Sequence, residues 1–131
     1  MSAITQRRPT VMIVDDDAHM RAALRGYIER EGFGVIEHES ATRARQAAVG
    51  QTFDAVILDK EMPGLDGLEF LVFLHGQFPS VPVVFITAFG GPAVAQEAFA
   101  RGAASYLEKP FRLGDLVMTL RRLTRLSCTR S

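Results

Sequence analysis

The sequence predicts an α/β fold, a doubly wound parallel sheet of five strands with helices packed on both faces. Short apolar runs typical of strands alternate along the chain with segments whose apolar residues recur at helical spacing. Three of the runs, at 11–14, 55–58 and 83–86, are apolar without interruption, as in strands that are covered on both faces. This alternation indicates βα units joined into a parallel sheet.

The strands and helices follow in order from this pattern. The predicted strands are TVMIV (10–14), FGVIEH (33–38), DAVIL (54–58), VPVVFI (81–86) and ASYL (104–107). The predicted helices carry the apolar sets Met20, Leu24, Tyr27, Ile28; Ala41, Ala44, Ala47, Ala48; Leu68, Leu71, Val72, Leu74; Val94, Ala98, Phe99; and Leu113, Leu116, Val117, Leu120, Leu123. Asp17 and Ser40 precede the first two helices as N-caps, and Gly32 and Gly102 end the first and fourth.

The polarity of the strands predicts their order. The second strand carries Glu37 and His38, and the fifth is short and partly polar, so we expect both at the edges of the sheet. The remaining three belong in the middle, which gives the order 2-1-3-4-5 of flavodoxin-like (βα)5 sheets. In such sheets ligands bind beyond the carboxyl ends of the strands where the order reverses, here between the first and third strands.

Composition indicates one ordinary globular domain. The chain has 131 residues, 47% of them hydrophobic and 23% charged, with Lys plus Arg and Asp plus Glu equal at 15 each. This balance does not favour nucleic acid or an anionic membrane as a partner, and no stretch resembles a signal peptide or a membrane span. The single cysteine, Cys128, rules out an internal disulfide. We expect a cytoplasmic domain at 10–126, with an extension at 1–9 and a tail at 127–131.

The residues at the carboxyl ends of the predicted strands form a chemical set. They are Asp15, Asp16 and Asp17 after the first strand, Asp59 after the third, Thr87 after the fourth and Lys109 after the fifth. Clustered carboxylates suit Mg²⁺, which prefers oxygen ligands. A lysine and a hydroxyl beside the cation suit a phosphoryl group, and an aspartate can accept one as an acyl phosphate. Asp17 is better explained as the N-cap of the first helix.

Four motifs in this order, IVDDD, LDKEMPGLDG, ITA and LEKPF, resemble the receiver domain of bacterial two-component response regulators. The resemblance runs from about Thr10 to about Leu126. It implies that Asp59 accepts a phosphoryl group from a histidine kinase or a histidine phosphotransfer protein. It also implies that Asp15, Asp16 and Asp59, together with the backbone carbonyl of Glu61, hold Mg²⁺ (or Mn²⁺).

The resemblance implies further roles near the carboxyl ends of the last two strands. Thr87, Ala88 and Lys109 would bind the phosphoryl oxygens, and Thr87 and Tyr106 would act as the switch. The peptide bond between Lys109 and Pro110 is a candidate for the cis form. Enzyme activity would be limited to self-phosphorylation and self-dephosphorylation.

The resemblance also predicts partners. The surface formed by the fourth helix, the fifth strand and the fifth helix would bind a downstream target protein. A homodimer on phosphorylation is a further expected partner. Two forms stay open: a stand-alone receiver that acts by protein contact, or the receiver of a longer DNA-binding or other effector regulator. The sequence favours the first slightly, since nothing near its end reads as a linker.

Two other classes of protein use similar features. A metal-dependent phosphatase with an aspartyl-phosphate intermediate shares this chemistry, but usually has a second aspartate two residues after the nucleophile, where this chain has Glu61. A flavin-binding module shares the fold, but the acidic loop after the first strand would repel the phosphate of the cofactor.

The histidines, the glycines before the fourth helix and the residues flanking Asp59 give three further local expectations. His19, His38 and His75 have no metal-ligand spacing and are expected to be exposed. Gly90 and Gly91 are expected to leave the loop before the fourth helix unusually free. The ring of Phe89 is expected to shield an acyl phosphate on Asp59 from water and the carboxylate of Glu61 to repel hydroxide, so we expect slow self-dephosphorylation.

Overall fold

The computed structural model describes residues 8–62 and 65–128, and its centre is a parallel sheet of five strands. We number the strands of this sheet β1 (Thr10–Val14), β2 (Gly34–His38), β3 (Ala55–Asp59), β4 (Val83–Thr87) and β5 (Ser105–Glu108). Their order is β2-β1-β3-β4-β5, and every neighbouring pair is parallel. The predicted fold class and strand order are therefore confirmed.

Five helices connect and follow these strands. They are α1 (Ala18–Arg30), α2 (Ala41–Ala48), α3 (Gly67–Gln77), α4 (Pro92–Ala100) and α5 (Leu113–Cys128). The predicted N-caps are confirmed: Asp17 accepts hydrogen bonds from the first turn of α1, and Ser40 accepts one from the first turn of α2. Asp66 caps α3 in the same way, and α4 begins with Pro92 at its first turn.

The core forms two apolar layers, one on each face of the sheet. Alternate residues of β1, β3 and β4 point to opposite faces, so these central strands contribute to both layers. One layer joins them to α2, α3 and α4, and the other joins them to α1 and α5. Phe70 and Phe85 are among the largest fully buried side chains, and each contributes about 1.5–3 kcal/mol to folding. The two layers fix the positions of the strand ends.

Some boundaries differ from the prediction. β3 and β4 each run one residue further, to Asp59 and Thr87, because backbone pairing continues to those residues. A two-residue antiparallel ladder joins Glu61–Met62 to Leu65–Asp66 and was not predicted. Of the turn residues Met62-Pro63-Gly64, the last two lie outside the described residues, as do the first seven residues of the predicted extension and residues 129–131 of the tail.

Three side chains have a different environment from the one expected. Val72 and Phe99, which were placed on apolar helix faces, are 48% and 51% exposed. Val72 lies beside the stripe of α3 that faces the sheet, which its neighbour Leu71 occupies with Leu74. The expectation that His38 is exposed is wrong: it is half-buried, and its Nε2 lies 3.2 Å from Oε1 of Gln51.

We predict that Gly67→Ala lowers the free energy of unfolding by about 2 kcal/mol. A Cβ atom at this position would lie 2.8 Å from the Cα and 2.9 Å from the carbonyl oxygen of Lys60, so backbone would have to move. Gly76→Ala in the same helix is the matched control, because a Cβ there meets nothing within 4 Å. This control should raise the free energy of unfolding by roughly 0.5 kcal/mol. Urea unfolding measures both, and equal stability of the two variants would contradict the prediction.

Candidate functional site

Three carboxylates meet at the carboxyl ends of β1 and β3. Asp15 follows β1 directly and Asp59 is the last residue of β3, and these strands are neighbours in the sheet. One carboxylate oxygen each from Asp15, Asp16 and Asp59 lies within 4.8 Å of the others. Asp15 and Asp59 are buried, whereas Asp16 is exposed. The structure therefore brings together the acids that the sequence placed at this edge.

The hydrogen bonds of the buried acids are incomplete. Asp15 Oδ1 accepts a hydrogen bond of 2.9 Å from the amide of Asp17. Asp15 Oδ2 is buried and accepts a hydrogen bond from no residue in the described part of the chain. Asp59 Oδ1 accepts one of 3.2 Å from the amide of Glu61, and Nζ of Lys109 lies 3.3 Å from it. A buried carboxylate oxygen without a partner is costly, and a cation beside it would remove that cost.

Burial shifts the pKa of both acids upward. Burial, followed by the negative charge of Asp15, raises the pKa of Asp59 to about 7, although Lys109 opposes the shift. Burial also raises the pKa of Asp15 above its usual value, against a hydrogen bond from Asp17. Both shifts express the cost of holding two negative charges together away from water. The all-oxygen set and the oxygen without a partner fit a hard divalent cation.

The donors assigned to a phosphoryl group lie at the end of β4, and they are already hydrogen-bonded. Thr87 is buried, and its Oγ1 donates to the Oε2 atom of Glu61. The amide of Ala88 donates to Oε1 of Glu61 at 2.8 Å. The sequence predicted a backbone role for Glu61 at the metal and a role for its carboxylate against hydrolysis, but not the contacts of its side chain with Thr87 and Ala88. Phe89 is 73% exposed, and its expected role as a shield of the acyl phosphate stays a prediction.

The loop between β4 and α4 is tied to β5 by a group of contacts that we call the Tyr106 clasp. The amide of Gly91 donates to Oη of Tyr106 at 3.1 Å and to Oε2 of Glu108 at 2.9 Å, and Tyr106 Oη donates to the same Glu108 oxygen at 3.0 Å. A Cβ atom on Gly90 would lie only 2.0 Å from Tyr106 Oη. The expectation of an unusually free loop is therefore wrong, because the Gly91 amide donates to two side chains of β5 and Gly90 allows those side chains to approach. The sequence pattern gave no indication of this role for Glu108.

The connection from β5 to α5 carries the remaining predicted residues. The amide of Lys109 donates to the carbonyl of Thr87 at 2.8 Å, so the ladder between β4 and β5 continues to the site. The peptide bond between Lys109 and Pro110 is cis. Lys109 thus lies with its backbone against Thr87 and its ammonium group near Asp59.

Comparison with known protein families shows the family to which this chain belongs. The sequence profile of the response regulator receiver domain matches residues 11–121 of the chain. The chain belongs to this family. None of the helices within residues 8–62 and 65–128 of this receiver domain is both long and apolar enough to cross a membrane.

Similar proteins agree with this assignment. The receiver domain is 39% identical over 101 residues to the transcriptional regulatory protein FixJ of Bradyrhizobium diazoefficiens, a match of 77% of this chain and 49% of FixJ. It is 38% identical over 112 residues to the C4-dicarboxylate transport transcriptional regulatory protein DctD of Pseudomonas aeruginosa, a match of 86% of this chain and 24% of DctD. The chain thus spans half or less of the length of these two curated relatives.

Solved structures show the same fold. The receiver domain of NtrX from Brucella abortus is 32% identical and superposes with a TM-score of 0.82 over 88% of this chain and 98% of its own. The receiver domain of the Francisella response regulator 1452 is 25% identical, with a TM-score of 0.86 over 92% of this chain and 99% of its own. Each of these structures consists almost entirely of the matched receiver domain.

We predict that the cation-free protein loses stability as the pH rises from about 5 to about 8. The pKa of Asp59 is raised from 3.8 to about 7, so the folded state binds more protons than the unfolded state across that interval, and raising the pH then favours unfolding. Thermal unfolding should show a midpoint several degrees lower at the higher pH. Added Mg²⁺ should reverse the loss at the higher pH.

Two variants test the source of this pH dependence. In Asp59→Asn, the midpoint of thermal unfolding should depend less on pH, because the group that takes up the proton is gone. Asp115→Asn changes an exposed acid in the first turn of α5, and it should leave the pH dependence of the unfolding midpoint unchanged. Parallel curves for the wild type and Asp59→Asn would show that Asp59 is not responsible.

Proposed function

We propose that this receiver domain is a switch that accepts a phosphoryl group on Asp59 from the phosphohistidine of a histidine kinase or phosphotransfer protein. The observation that carries the proposal is the position of the Asp59 carboxylate between two further acids and Nζ of Lys109, which lies 3.3 Å away. Family membership supports it, because receiver domains of response regulators are signalling partners of histidine kinases. The cytoplasm is the compartment that this role requires.

The acids would hold the cation that the transfer needs. Asp15, Asp16 and Asp59 would supply carboxylate oxygens to Mg²⁺ (or Mn²⁺), and Glu61 would supply its backbone carbonyl. When bound, the cation neutralises negative charge on the transferred group and on the carboxylates. The buried Oδ2 of Asp15, which accepts no hydrogen bond from the residues that the structure describes, supports this assignment.

The chain's own residues then carry the transfer. An oxygen of Asp59 forms a bond to phosphorus while the bond from phosphorus to the imidazole nitrogen of the donor breaks, and the bonding electrons return to that nitrogen. Lys109 favours the ionised, nucleophilic form of Asp59 and would then pair with a phosphoryl oxygen. The hydroxyl of Thr87 and the amide of Ala88 would donate to the other oxygens.

Phosphorylation would be read at the surface of α4, β5 and α5. Thr87 would turn toward the phosphoryl group, the Tyr106 clasp would rearrange, and the orientation of α4 would follow. Phe99 on α4 and Met118 on α5 are 51% and 67% exposed and offer apolar contacts to a target protein or to a second copy of the chain. The phosphoryl group biases an equilibrium between two arrangements of this surface.

Output by protein contact is the form we propose, with the domain at 10–126. The alternative is that the receiver controls an effector domain of a longer regulator. One observation favours that alternative: FixJ and DctD are named as transcriptional regulatory proteins, and each is at least twice as long as the part that matches.

We predict that incubation with Mg²⁺ and acetyl phosphate adds one phosphoryl group, seen as a single increase of the intact mass. The increase should be absent without the cation and absent in Asp59→Asn, because the acceptor oxygen is gone. Asp66→Asn is the matched control: it changes an acid that caps α3 and should still be phosphorylated. Modification of Asp59→Asn to the wild-type extent would place the acceptor elsewhere, and steady turnover of small phosphoesters would favour the phosphatase class.

A further inference from the structure

The side chain of Glu61 lies in an unexpected place for a residue next to an acidic cluster. It turns toward the end of β4, and each of its two oxygens accepts a hydrogen bond there, one from Thr87 Oγ1 and one from the amide of Ala88. Nζ of Lys60 lies 3.8 Å from Oε2. The carboxylate thus accepts two hydrogen bonds and lies near the ammonium group of Lys60, in the way that an anion from solution would be bound.

These two donors are the ones that a phosphoryl group on Asp59 would need. A carboxylate and a phosphoryl group both present negative oxygens that accept hydrogen bonds, so they compete for the same N–H and O–H groups. Thr87 has one hydroxyl hydrogen and Ala88 one amide hydrogen, so neither can serve both anions at full strength. Two anions that share the same donors would also repel each other.

We propose that the Glu61 carboxylate is an internal competitor for the phosphoryl-binding donors: it holds Thr87 and Ala88 before phosphorylation, and the phosphoryl group must displace it. This inference rests on the proposed function for the identity of the incoming group. Its consequence is that Glu61 lowers the rate of phosphorylation and keeps the end of β4 in one arrangement until a strong donor acts.

The surroundings give the displaced side chain a place to go. The Glu61 side chain is 27% exposed and that of Lys60 is 28% exposed, so both reach solvent at the edge of the site. A Glu61 carboxylate released from Thr87 can remain beside the ammonium group of Lys60. Displacement therefore does not require the charge to be buried elsewhere.

The test compares three substitutions of one residue. Glu61→Ala removes the competitor, Glu61→Gln keeps an acceptor but removes the charge, and Glu61→Asp keeps the charge but is one methylene too short for the contact with Thr87. Glu69→Ala is the matched control, since Glu69 is an exposed acid in the first turn of α3. All proteins are phosphorylated by acetyl phosphate at saturating Mg²⁺, and the rate is followed by intact mass.

We expect Glu61→Ala and Glu61→Asp to be phosphorylated roughly tenfold faster than the wild type, as loss of a charge-assisted hydrogen bond implies. The phosphorylation rate of Glu61→Gln should lie between the rates of these variants and that of the wild type, and the rate of Glu69→Ala should equal the wild-type rate. A wild-type rate in Glu61→Asp combined with a fast rate in Glu61→Ala would mean that only charge matters, and would overturn the proposal. Equal or slower rates in all three variants would also overturn it.

A second readout needs no phosphodonor and separates this inference from the proposed function. In the wild type, the hydrogen bond to Glu61 should move the ¹H–¹⁵N signal of the Ala88 amide downfield, and Glu61→Ala and Glu61→Asp should both move it back. An Ala88 signal that is the same in all variants would show that the contact does not form, even if Asp59 is phosphorylated. A shifted Ala88 signal together with no phosphorylation of any variant would refute the proposed function, and the competitor role with it.

Discussion

The repulsion between the carboxylates of Asp15 and Asp59 is the constraint on which the rest of the site depends. The parallel pairing of β1 and β3 forces both acids to the same edge of the sheet, and burial removes the water that would otherwise separate their charges. Lys109 offsets part of this repulsion from the end of β5, and a proton or a divalent cation can offset the remainder. The fold thus stores an electrostatic cost at the position where a divalent cation would relieve it, beside the oxygen that would receive a phosphoryl group.

Sequence alone predicted the parts of the molecule that depend on strand periodicity. Uninterrupted apolar runs identify central strands, and polar residues such as Glu37 identify an edge, which was enough for the strand order. Once the order was known, Asp15, Asp59, Thr87 and Lys109 had to meet, because the carboxyl ends of parallel strands lie together. The N-caps were equally predictable, since each depends only on residues within one helical turn.

Features that depend on the direction of a side chain were not predictable. The sequence places Glu61 two residues after Asp59, but only the structure shows its carboxylate turned toward Thr87 and Ala88. The contacts of Glu108 depend on which face of β5 points toward the loop, and that depends on the pairing of β5 with β4. The expectation of a free loop failed for the same reason: missing Cβ atoms can increase contact as readily as freedom.

The missing Cβ of Gly90 has a wider consequence. Because it lets the hydroxyl of Tyr106 approach the loop, the link between the proposed phosphorylation site and the first turn of α4 depends on a space smaller than one methyl group. This space is separate from the acids that would carry the chemistry. Evolution can therefore adjust how strongly a signal is transmitted by exchanging one small residue, while the capacity to receive that signal is preserved.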